Sequence, residues 1–220
     1  MPQQTISPEG ARAVSRRWPL VSAGFAILLA VALGAIVAYR SGPYEFDAEW
    51  LEEMVEHRSP LWDVPAFAMN FLGGGWFGVI VVPVGVAVAL LIGRKRWSAL
   101  YFVLASAASA GLVQLLKNLF GRARPEEILV TADFGSFPSG HVANAATIAV
   151  AISLILQRVW VWFAGAAWVV LMMLSRTYLG AHWLSDTVGG LVLGVGVAVI
   201  AWAPFASRLR EEWSVPAHQH

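Results

Sequence analysis

The sequence predicts an all-α, polytopic membrane protein, a bundle of six transmembrane helices with an amphipathic interfacial helix after the first span. Of its 220 residues, 58% are apolar and 13% are charged, whereas a soluble domain carries roughly a quarter charged residues. Its apolar runs recur near the length of about 20 residues that a membrane span requires. Eleven tryptophans suit residues placed at membrane interfaces. The sequence has no cysteine, which excludes disulfides and thiolate metal sites.

Six apolar segments are the predicted spans. The first follows Arg16 and Arg17 and is longer than the roughly 7–15 residues of a signal-peptide apolar region, so it is interpreted as an uncleaved helix. The fourth is short, and we expect a tilted or interfacial turn to extend it. Residues 1–17 and 206–220 are predicted tails on either side of a membrane domain over 18–205. The predicted spans are 18–39, 72–93, 97–119, 142–157, 159–178 and 185–205.

The segment between the first two spans, 40–71, is not apolar enough to cross a bilayer. Within it, residues 44–57 form a predicted amphipathic helix on the membrane surface. This helix is interpreted either as a solvated cap over the bundle or as a gate for lipid entry. Gly73-Gly74-Gly75 then marks a kink or tight bend near the start of the second span. The apolar face comprises Phe46, Trp50, Leu51 and Met54, opposite Glu45, Glu49, Glu52, Glu53 and Glu56.

The distribution of basic residues predicts the orientation. Nine of them fall at one end of a six-span bundle, and cytoplasmic loops are enriched in Lys and Arg. That end and both termini are therefore predicted to be cytoplasmic. Loops 117–141 and 175–186 then share the extracytoplasmic face. The nine residues are Arg12, Arg16, Arg17, Arg94, Lys95, Arg96, Arg158, Arg208 and Arg210.

Polar side chains gather in those two outer loops. An Arg or Lys at membrane depth costs about 2.5–3.5 kcal/mol, and less near the interface. Several cations also repel one another, so a multiply charged anion would stabilise the arrangement. Phosphate fits the bidentate donors of Arg and the point charge of Lys. The residues are Lys117, Arg124, Ser139, His141, Arg176, His182 and Asp186.

Each of these residues also has a purely structural interpretation. Lys117 could snorkel from the end of its span, Arg124 could belong to a turn, and Arg176 could close a helix. His182 and Asp186 are four residues apart and could form a structural pair on one helix face. Their occurrence together on one face of the bundle favours a common site.

Pro138-Ser139-Gly140-His141 lies between the other polar groups along the chain. Pro138 ends the preceding segment, Ser139 is a good helix N-cap, and Gly140 lets the backbone approach a ligand closely. A helix that begins here would present free N–H groups to an anion.

These residue types suit phosphoryl transfer. Asp186 can keep one ring nitrogen of His182 protonated and leave the other as a nucleophile or base. His141 can donate a proton to the leaving group, a contribution typically of about 10²–10⁴-fold. The sequence offers no carboxylate cluster suited to Mg²⁺ or Zn²⁺, so no metal or other cofactor is predicted. The phosphoryl oxygens would be held by Lys117, Arg124, Arg176, Ser139 and the Gly140 N–H.

Three motifs, complete and in order, resemble the signatures of the type-2 phosphatidic acid phosphatase superfamily. The first is Lys117, six residues, then Arg124-Pro125, and the second is Pro138-Ser139-Gly140-His141. The third is Arg176, five residues, His182, three residues, then Asp186. The motifs occupy 117–125, 138–141 and 175–186.

The resemblance implies a phosphoric monoester hydrolase or diphosphatase that works without a metal through a phosphohistidine on His182. It also implies that Asp186 orients this ring and that His141 is the acid. The superfamily includes soluble vanadium haloperoxidases, which six predicted spans argue against here. The implied phosphate pocket comprises Lys117, Arg124, Ser139, Gly140 and Arg176.

We expect a multi-pass protein of the cell membrane. Its expected substrate is a lipid phosphate of the same bilayer. Among lipids, undecaprenyl diphosphate, hydrolysed to undecaprenyl phosphate, is the first choice, and phosphatidylglycerophosphate or phosphatidic acid are alternatives. An alternative of another class is a non-catalytic protein that binds or flips anionic lipids. Binding alone gives no reason for two histidines and an aspartate, which favours the enzyme. No nucleic-acid partner is predicted. No oligomeric state is predicted either, because Gly190 and Gly194 are interpreted as close packing within the chain.

Overall fold

The computed structural model describes residues 8–40 and 42–214. Every regular element in these ranges is helical, which confirms the all-α prediction. Residues 1–7 and 215–220, at the outer ends of the predicted tails, lie outside the described residues, as do the side chains of Arg12, Arg16 and Arg17. The helices are α1 (Pro8–Tyr39), α2 (Glu45–Glu56), α3 (Pro60–Gly73), α4 (Val82–Ile92), α5 (Arg96–Phe120), α6 (Gly140–Leu156), α7 (Val159–Tyr178), α8 (Leu184–Trp202) and α9 (Ala206–Ser214).

Several described helices are long and apolar enough to cross a membrane, which supports a multi-pass membrane protein. Four meet this criterion alone, namely Leu20–Tyr39 of α1 together with α5, α7 and α8. A fifth span results when α3 and Phe77–Ile92, which meet at an angle of 48°, are counted as one. The predicted fourth span corresponds to α6, whose 17 residues fall short of the usual length of about 20. The prediction of six spans is therefore not confirmed by helix length.

The helical segment that contains the second predicted span is bent by 48° at a break, and a helix begins before residue 72. A separate helix, α3, contains the polar residues Asp63 and Asn70 and an internal Pro65. Because these residues lower its hydropathy, the sequence did not predict this helix. The kink predicted at Gly73-Gly74-Gly75 is confirmed, and a π-helical turn, Phe77–Val81, follows it before α4.

The amide of Asn144 stabilises this break from α6. Its Nδ2 donates to the carbonyl of Gly73 at 3.2 Å and to that of Gly78 at 2.9 Å. These carbonyls lie at an interrupted helical ladder, where a backbone group without a partner would be costly in an apolar setting.

Helix α6 lies at the centre of the bundle, in contact with α5, α7 and α8. Gly190 and Gly194 let the backbones of α6 and α8 touch, because a Cβ at Gly190 would lie 2.5 Å from the carbonyl oxygen of Ser139. A Cβ at Gly194 would lie 2.4 Å from that of Ala143. The two glycines thus serve close packing within the chain. Beside this contact, an apolar core is formed by Ala30, Val113, Leu116, Ala143, Leu193 and Val197.

The predicted amphipathic segment is a helix, α2, whose buried side agrees with the predicted apolar face at Leu51 and differs from it at Phe46 and Asp47. Phe46 is 50% exposed, whereas Asp47 and Leu51 are buried against the bundle. Polarity alone predicts that an aspartate in this helix is exposed to solvent. This aspartate is buried because its carboxylate has partners inside the protein. Whether α2 lies on a membrane surface stays a prediction.

The two ends of the bundle differ in their contacts. At one end, the turn before α5 meets α9, where Glu212 accepts hydrogen bonds from the backbone N–H groups of Trp97 (2.6 Å) and Ser98 (3.0 Å). The opposite end carries the C-termini of α5 and α7 and the N-termini of α6 and α8. Both loops predicted to share one face do so, because side chains from each meet there.

Candidate active site

Most of the predicted site residues lie at helix ends that meet at one end of the bundle. Lys117 and Arg176 lie in the last turns of α5 and α7, and Ser139 is the N-cap of α6. Six of the eight predicted residues line a single cavity. The other two, Ser139 and Asp186, are joined to each other by a hydrogen bond between their backbones (3.0 Å). The six are Lys117, Arg124, Gly140, His141, Arg176 and His182.

Lys117 and Arg124 converge on the loop before α6. Lys117 is 2% exposed, and its Nζ donates to the carbonyl of Gly135 at 2.8 Å and to Asp133 Oδ1 at 3.1 Å. Arg124 donates from Nη2 to the same Asp133 oxygen at 2.7 Å and to the Gly135 carbonyl at 2.9 Å. One carboxylate oxygen thus engages both cations, as an oxygen of a phosphate would.

The ring of His182 is fixed at both nitrogens. Nδ1 lies 2.8 Å from the carbonyl oxygen of Ser136, and since a carbonyl only accepts, Nδ1 carries the hydrogen. Burial, reinforced by three neighbouring cations, lowers the pKa of His182 well below its usual range. The neutral ring therefore has its lone pair on Nε2, which lies 3.3 Å from Nη1 of Arg124. The cations are Arg176, Arg124 and Lys117.

Asp186 stands close to His182 but is bonded mainly to other groups. Its Oδ2 lies 3.7 Å from Nδ1 of His182, beyond hydrogen-bond distance. That oxygen accepts from the Ser136 hydroxyl and, at 2.9 Å, from the backbone N–H of Trp183. Oδ1 accepts from Nη1 of Arg122. Ser136 is thus bonded both to His182, through its carbonyl, and to Asp186, through its hydroxyl.

His141 and Arg176 share a partner in α3, Asn70. The ring Nε2 of His141 lies 3.1 Å from the carbonyl oxygen of Asn70, so Nε2 carries the hydrogen here as well. The side-chain oxygen of Asn70 accepts from Nη1 of Arg176. The C-terminal end of α3 therefore sets the positions of two site residues from other helices.

Two buried donors that belong to the predicted site residues have no partner among the described residues. They are the hydroxyl of Ser139 and the Nε of Arg176. A buried polar group without a hydrogen bond is costly, and such groups in native proteins call for a ligand or water. With the N-terminus of α6 beside Ser139, these donors suit the oxygens of an anion.

The cavity has a volume of about 760 Å³ and two kinds of wall. The charged residues lie at one end, and the rest runs between α4 and α5. This second part is lined mainly by apolar side chains, including Val84, Ala87, Val88, Val103, Ala107 and Ala110.

No three His, Asp or Glu side chains within residues 8–40 and 42–214 are grouped so that they could hold a metal ion. The expectation of a reaction without a metal stays a prediction.

Sequence reasoning missed several residues that hold the site together. Ser136, Asn70 and Asp133 lie outside the three motifs, and Asp47 lies in a helix interpreted as a cap or gate. Arg122 lies within the first motif without being one of its defining residues, yet it bonds to Asp186. The only available signal for Ser136 was a polar residue two positions before Pro138, whereas nothing in the sequence pairs α2 or α3 with the motifs.

The chain is similar in sequence to curated lipid phosphatases. Phosphatidylglycerophosphatase B of Bacillus subtilis is 34% identical over 112 residues, which are 46% of this chain and 55% of that protein. An undecaprenyl-diphosphatase of Sulfolobus acidocaldarius is 38% identical over 72 residues, 33% of this chain and 32% of that protein. The chain thus spans only about a third to a half of the length of these curated relatives.

The fold resembles the crystal structure of a transmembrane PAP2-type phosphatidylglycerolphosphate phosphatase from Bacillus subtilis. The TM-score is 0.74 at 24% sequence identity, over 90% of this chain and 99% of that one. Residues 98–210, just over half of the chain, match the family model described as the PAP2 superfamily. The resemblance of the three motifs is thereby confirmed, and the chain belongs to the PAP2 superfamily.

Proposed function

We propose that this protein is an integral membrane lipid phosphatase that transfers a phosphoryl group from a lipid to His182 and then to water. The observation that carries the proposal is the geometry of His182, whose Nδ1 lies 2.8 Å from the carbonyl oxygen of Ser136 and whose Nε2 therefore faces Arg124 inside the cation pocket. A nucleophile activated in this way, within reach of donors for an oxyanion, is the usual arrangement for covalent catalysis.

In the first step, Nε2 of His182 attacks the phosphorus atom, and the bond from phosphorus to the leaving oxygen breaks. Lys117, Arg124 and Arg176 stabilise the charge on the transferring oxygens, as cationic clamps do in other phosphoryl transfers. Of the further donors, the Ser139 hydroxyl and the N–H of Gly140 lie at the start of α6.

The leaving oxygen takes a proton from His141. Because the hydrogen on Nε2 of His141 is committed to the carbonyl of Asn70, His141 acts as the doubly protonated imidazolium, gives up the proton on Nδ1 and is left neutral. Water then attacks the phosphohistidine, His141 takes back a proton from that water, and phosphate leaves with His182 restored. Asp186 contributes by holding Ser136, whose carbonyl fixes the tautomer of His182.

The apolar part of the cavity supports a lipid substrate, since an acyl or prenyl chain would lie between α4 and α5 beside the phosphate pocket. We place undecaprenyl diphosphate first and phosphatidylglycerophosphate or phosphatidic acid second. The names of the relatives support both choices, because one is an undecaprenyl-diphosphatase and another a phosphatidylglycerophosphatase.

The decisive experiment is phosphate release by purified protein, supplied separately with undecaprenyl diphosphate, phosphatidylglycerophosphate and phosphatidic acid. We expect release from at least one lipid, and the lipid with the highest kcat/KM is the assigned substrate. His182→Ala should lower the rate by about 10⁴-fold or more, as loss of a nucleophile does elsewhere. The matched control is His57→Ala, since His57 is an exposed histidine that bonds only within α2.

A non-catalytic lipid-binding or flipping protein predicts a different result. Wild-type protein would then bind these lipids and release no phosphate from any of them. Appreciable turnover by His182→Ala would instead contradict the assignment of His182 while leaving phosphatase activity in place.

A further inference from the structure

Asp47 is a buried carboxylate that belongs to none of the three motifs. It lies in the first turn of α2, and its exposure to solvent is 0%. A buried carboxylate is costly unless it is paired and hydrogen-bonded, so the partners of Asp47 indicate why this helix packs on the bundle.

Both carboxylate oxygens of Asp47 are engaged by residues at the candidate site. Oδ1 accepts from the backbone N–H of Ser185 at 2.8 Å. Oδ2 accepts from the Ser185 hydroxyl at 2.7 Å and from Nη2 of Arg122 at 2.8 Å. Because Ser185 lies in the first turn of α8, Asp47 satisfies a free N–H at the N-terminus of another helix.

Arg122 connects Asp47 to Asp186. While Nη2 binds Asp47, Nη1 donates to Oδ1 of Asp186 and to the hydroxyl of Ser185 at 2.8 Å. One guanidinium therefore bridges two carboxylates whose side chains are both fully buried. The planar fork of an arginine allows such a bridge, whereas the single ammonium of a lysine does not.

The connection ends at the nucleophile. The second oxygen of Asp186 accepts from the Ser136 hydroxyl, and the Ser136 carbonyl accepts from Nδ1 of His182. An unbroken series of hydrogen bonds thus runs from α2 through Arg122, Asp186 and Ser136 to His182.

We propose that Asp47 is a positioning residue for the phosphoryl transfer, acting through Arg122 on Asp186 and His182. The inference rests on the proposed function. It gives α2 a defined role, since the helix supplies the anion that holds Arg122 and the start of α8 in register with the nucleophile. Asp47 does not line the cavity, so its contribution is expected in kcat rather than in KM.

The test is steady-state phosphate release by Asp47→Asn, which keeps the size of the side chain and removes its charge. We expect kcat to fall about 10- to 100-fold, while KM stays within about twofold, the range in which partners behind catalytic groups commonly act. The matched control is Glu49→Gln, the same type of change at an exposed position of α2, and it should behave as wild type.

A double variant separates positioning from a general loss of stability. If Asp47 acts through Asp186, the variant that combines Asp47→Asn with Asp186→Asn should be no slower than Asp186→Asn alone. Independent, multiplying losses in the double variant would overturn the inference, as would a kcat of Asp47→Asn equal to that of wild type.

A milder variant keeps the test valid if Asp47→Asn does not fold. Ser185→Ala removes the hydroxyl that binds both Asp47 and Arg122 and should lower kcat in the same sense, again with little change in KM. An unchanged kcat in this variant would contradict the inference. If the wild type is active and Asp47→Asn is unaffected, only this inference is rejected. If the wild type is inactive on every lipid, the proposed function and this inference are rejected together.

Discussion

Asp133 places a carboxylate where an oxygen of the substrate phosphate is expected. Its side chain is 56% exposed, yet it contacts the two cations Lys117 and Arg124. Burial opposes ionisation of Asp133, but the charges of Lys117 and Arg124 outweigh it and lower the pKa of this carboxyl. The group is therefore charged at neutral pH, and an incoming phosphate has to displace it.

Removal of this charge should strengthen anion binding. We expect Asp133→Asn to lower the inhibition constant of orthovanadate, an analogue of the transferring phosphoryl group, by about tenfold, which corresponds to about 1.4 kcal/mol. The difference from wild type should persist at neutral pH and shrink as the pH falls through the lowered pKa of Asp133. Inhibition of phosphate release by vanadate measures it, with the exposed Glu126→Gln as the control. Weaker inhibition of Asp133→Asn would show instead that Asp133 holds the cations in place.

At the residue scale, the sequence predicted which residues meet but not what holds them. The order of the motifs and the parity of the spans placed Lys117, His141 and His182 on one face, and the cavity brings them together. The supporting contacts join distant parts of the chain, as when Arg122 binds Asp47 across 75 positions. No local pattern encodes such a pair, because it depends on how α2 docks.

The broken segment between α3 and α4 packs directly against a residue of the site. Gly74 lies against His141, since a Cβ there would come within 2.0 Å of its Nε2. This nitrogen is bonded to Asn70, three to four residues before the break. The run of three glycines predicted the bend, whereas its contact with His141 depends on the packing of α3 against α6.

A methyl group at Gly74 should therefore displace the imidazole of His141. The backbone of Gly74 is extended (φ −146°), so the effect of Gly74→Ala is steric at the ring. We expect kcat for phosphate release to fall by about 10²–10⁴-fold, the usual contribution of a general acid. Gly85→Ala in α4 is the matched control, because a Cβ there has no described atom outside its own helical turn within 4 Å. Equal rates for Gly74→Ala and wild type would contradict the close contact.

At the scale of the whole molecule, the bundle has two chemically different ends. The candidate site occupies one end, and the contact of α9 with the start of α5 lies at the other. Hydropathy predicted most of the long apolar helices, since every predicted apolar run except 72–93 corresponds to a single helix. It failed for α3, where Asp63, Pro65 and Asn70 lower the apolar content of a helix that continues into a span.

The predicted orientation has a direct test, because the sequence contains no cysteine. A single cysteine at Glu127, which is exposed in the loop at the site, should react with an impermeant maleimide added to intact cells. A single cysteine at Ser207, exposed in α9, should react only after the membrane is opened. The positive charge near the second position is the physical reason, and the reverse pattern would invert the topology.

The contact between α6 and α8 through Gly190 and Gly194 has a consequence for how such proteins diversify. These two helices carry or adjoin the residues proposed for the chemistry, and backbone touches backbone between them, so little can vary there without clash. The apolar wall of the cavity comes instead from α4 and α5, whose side chains can change size independently. The proposed lipid wall therefore lies away from the α6–α8 contact, on α4 and on the part of α5 that precedes Lys117, and a change of lipid preference would require no change at that contact.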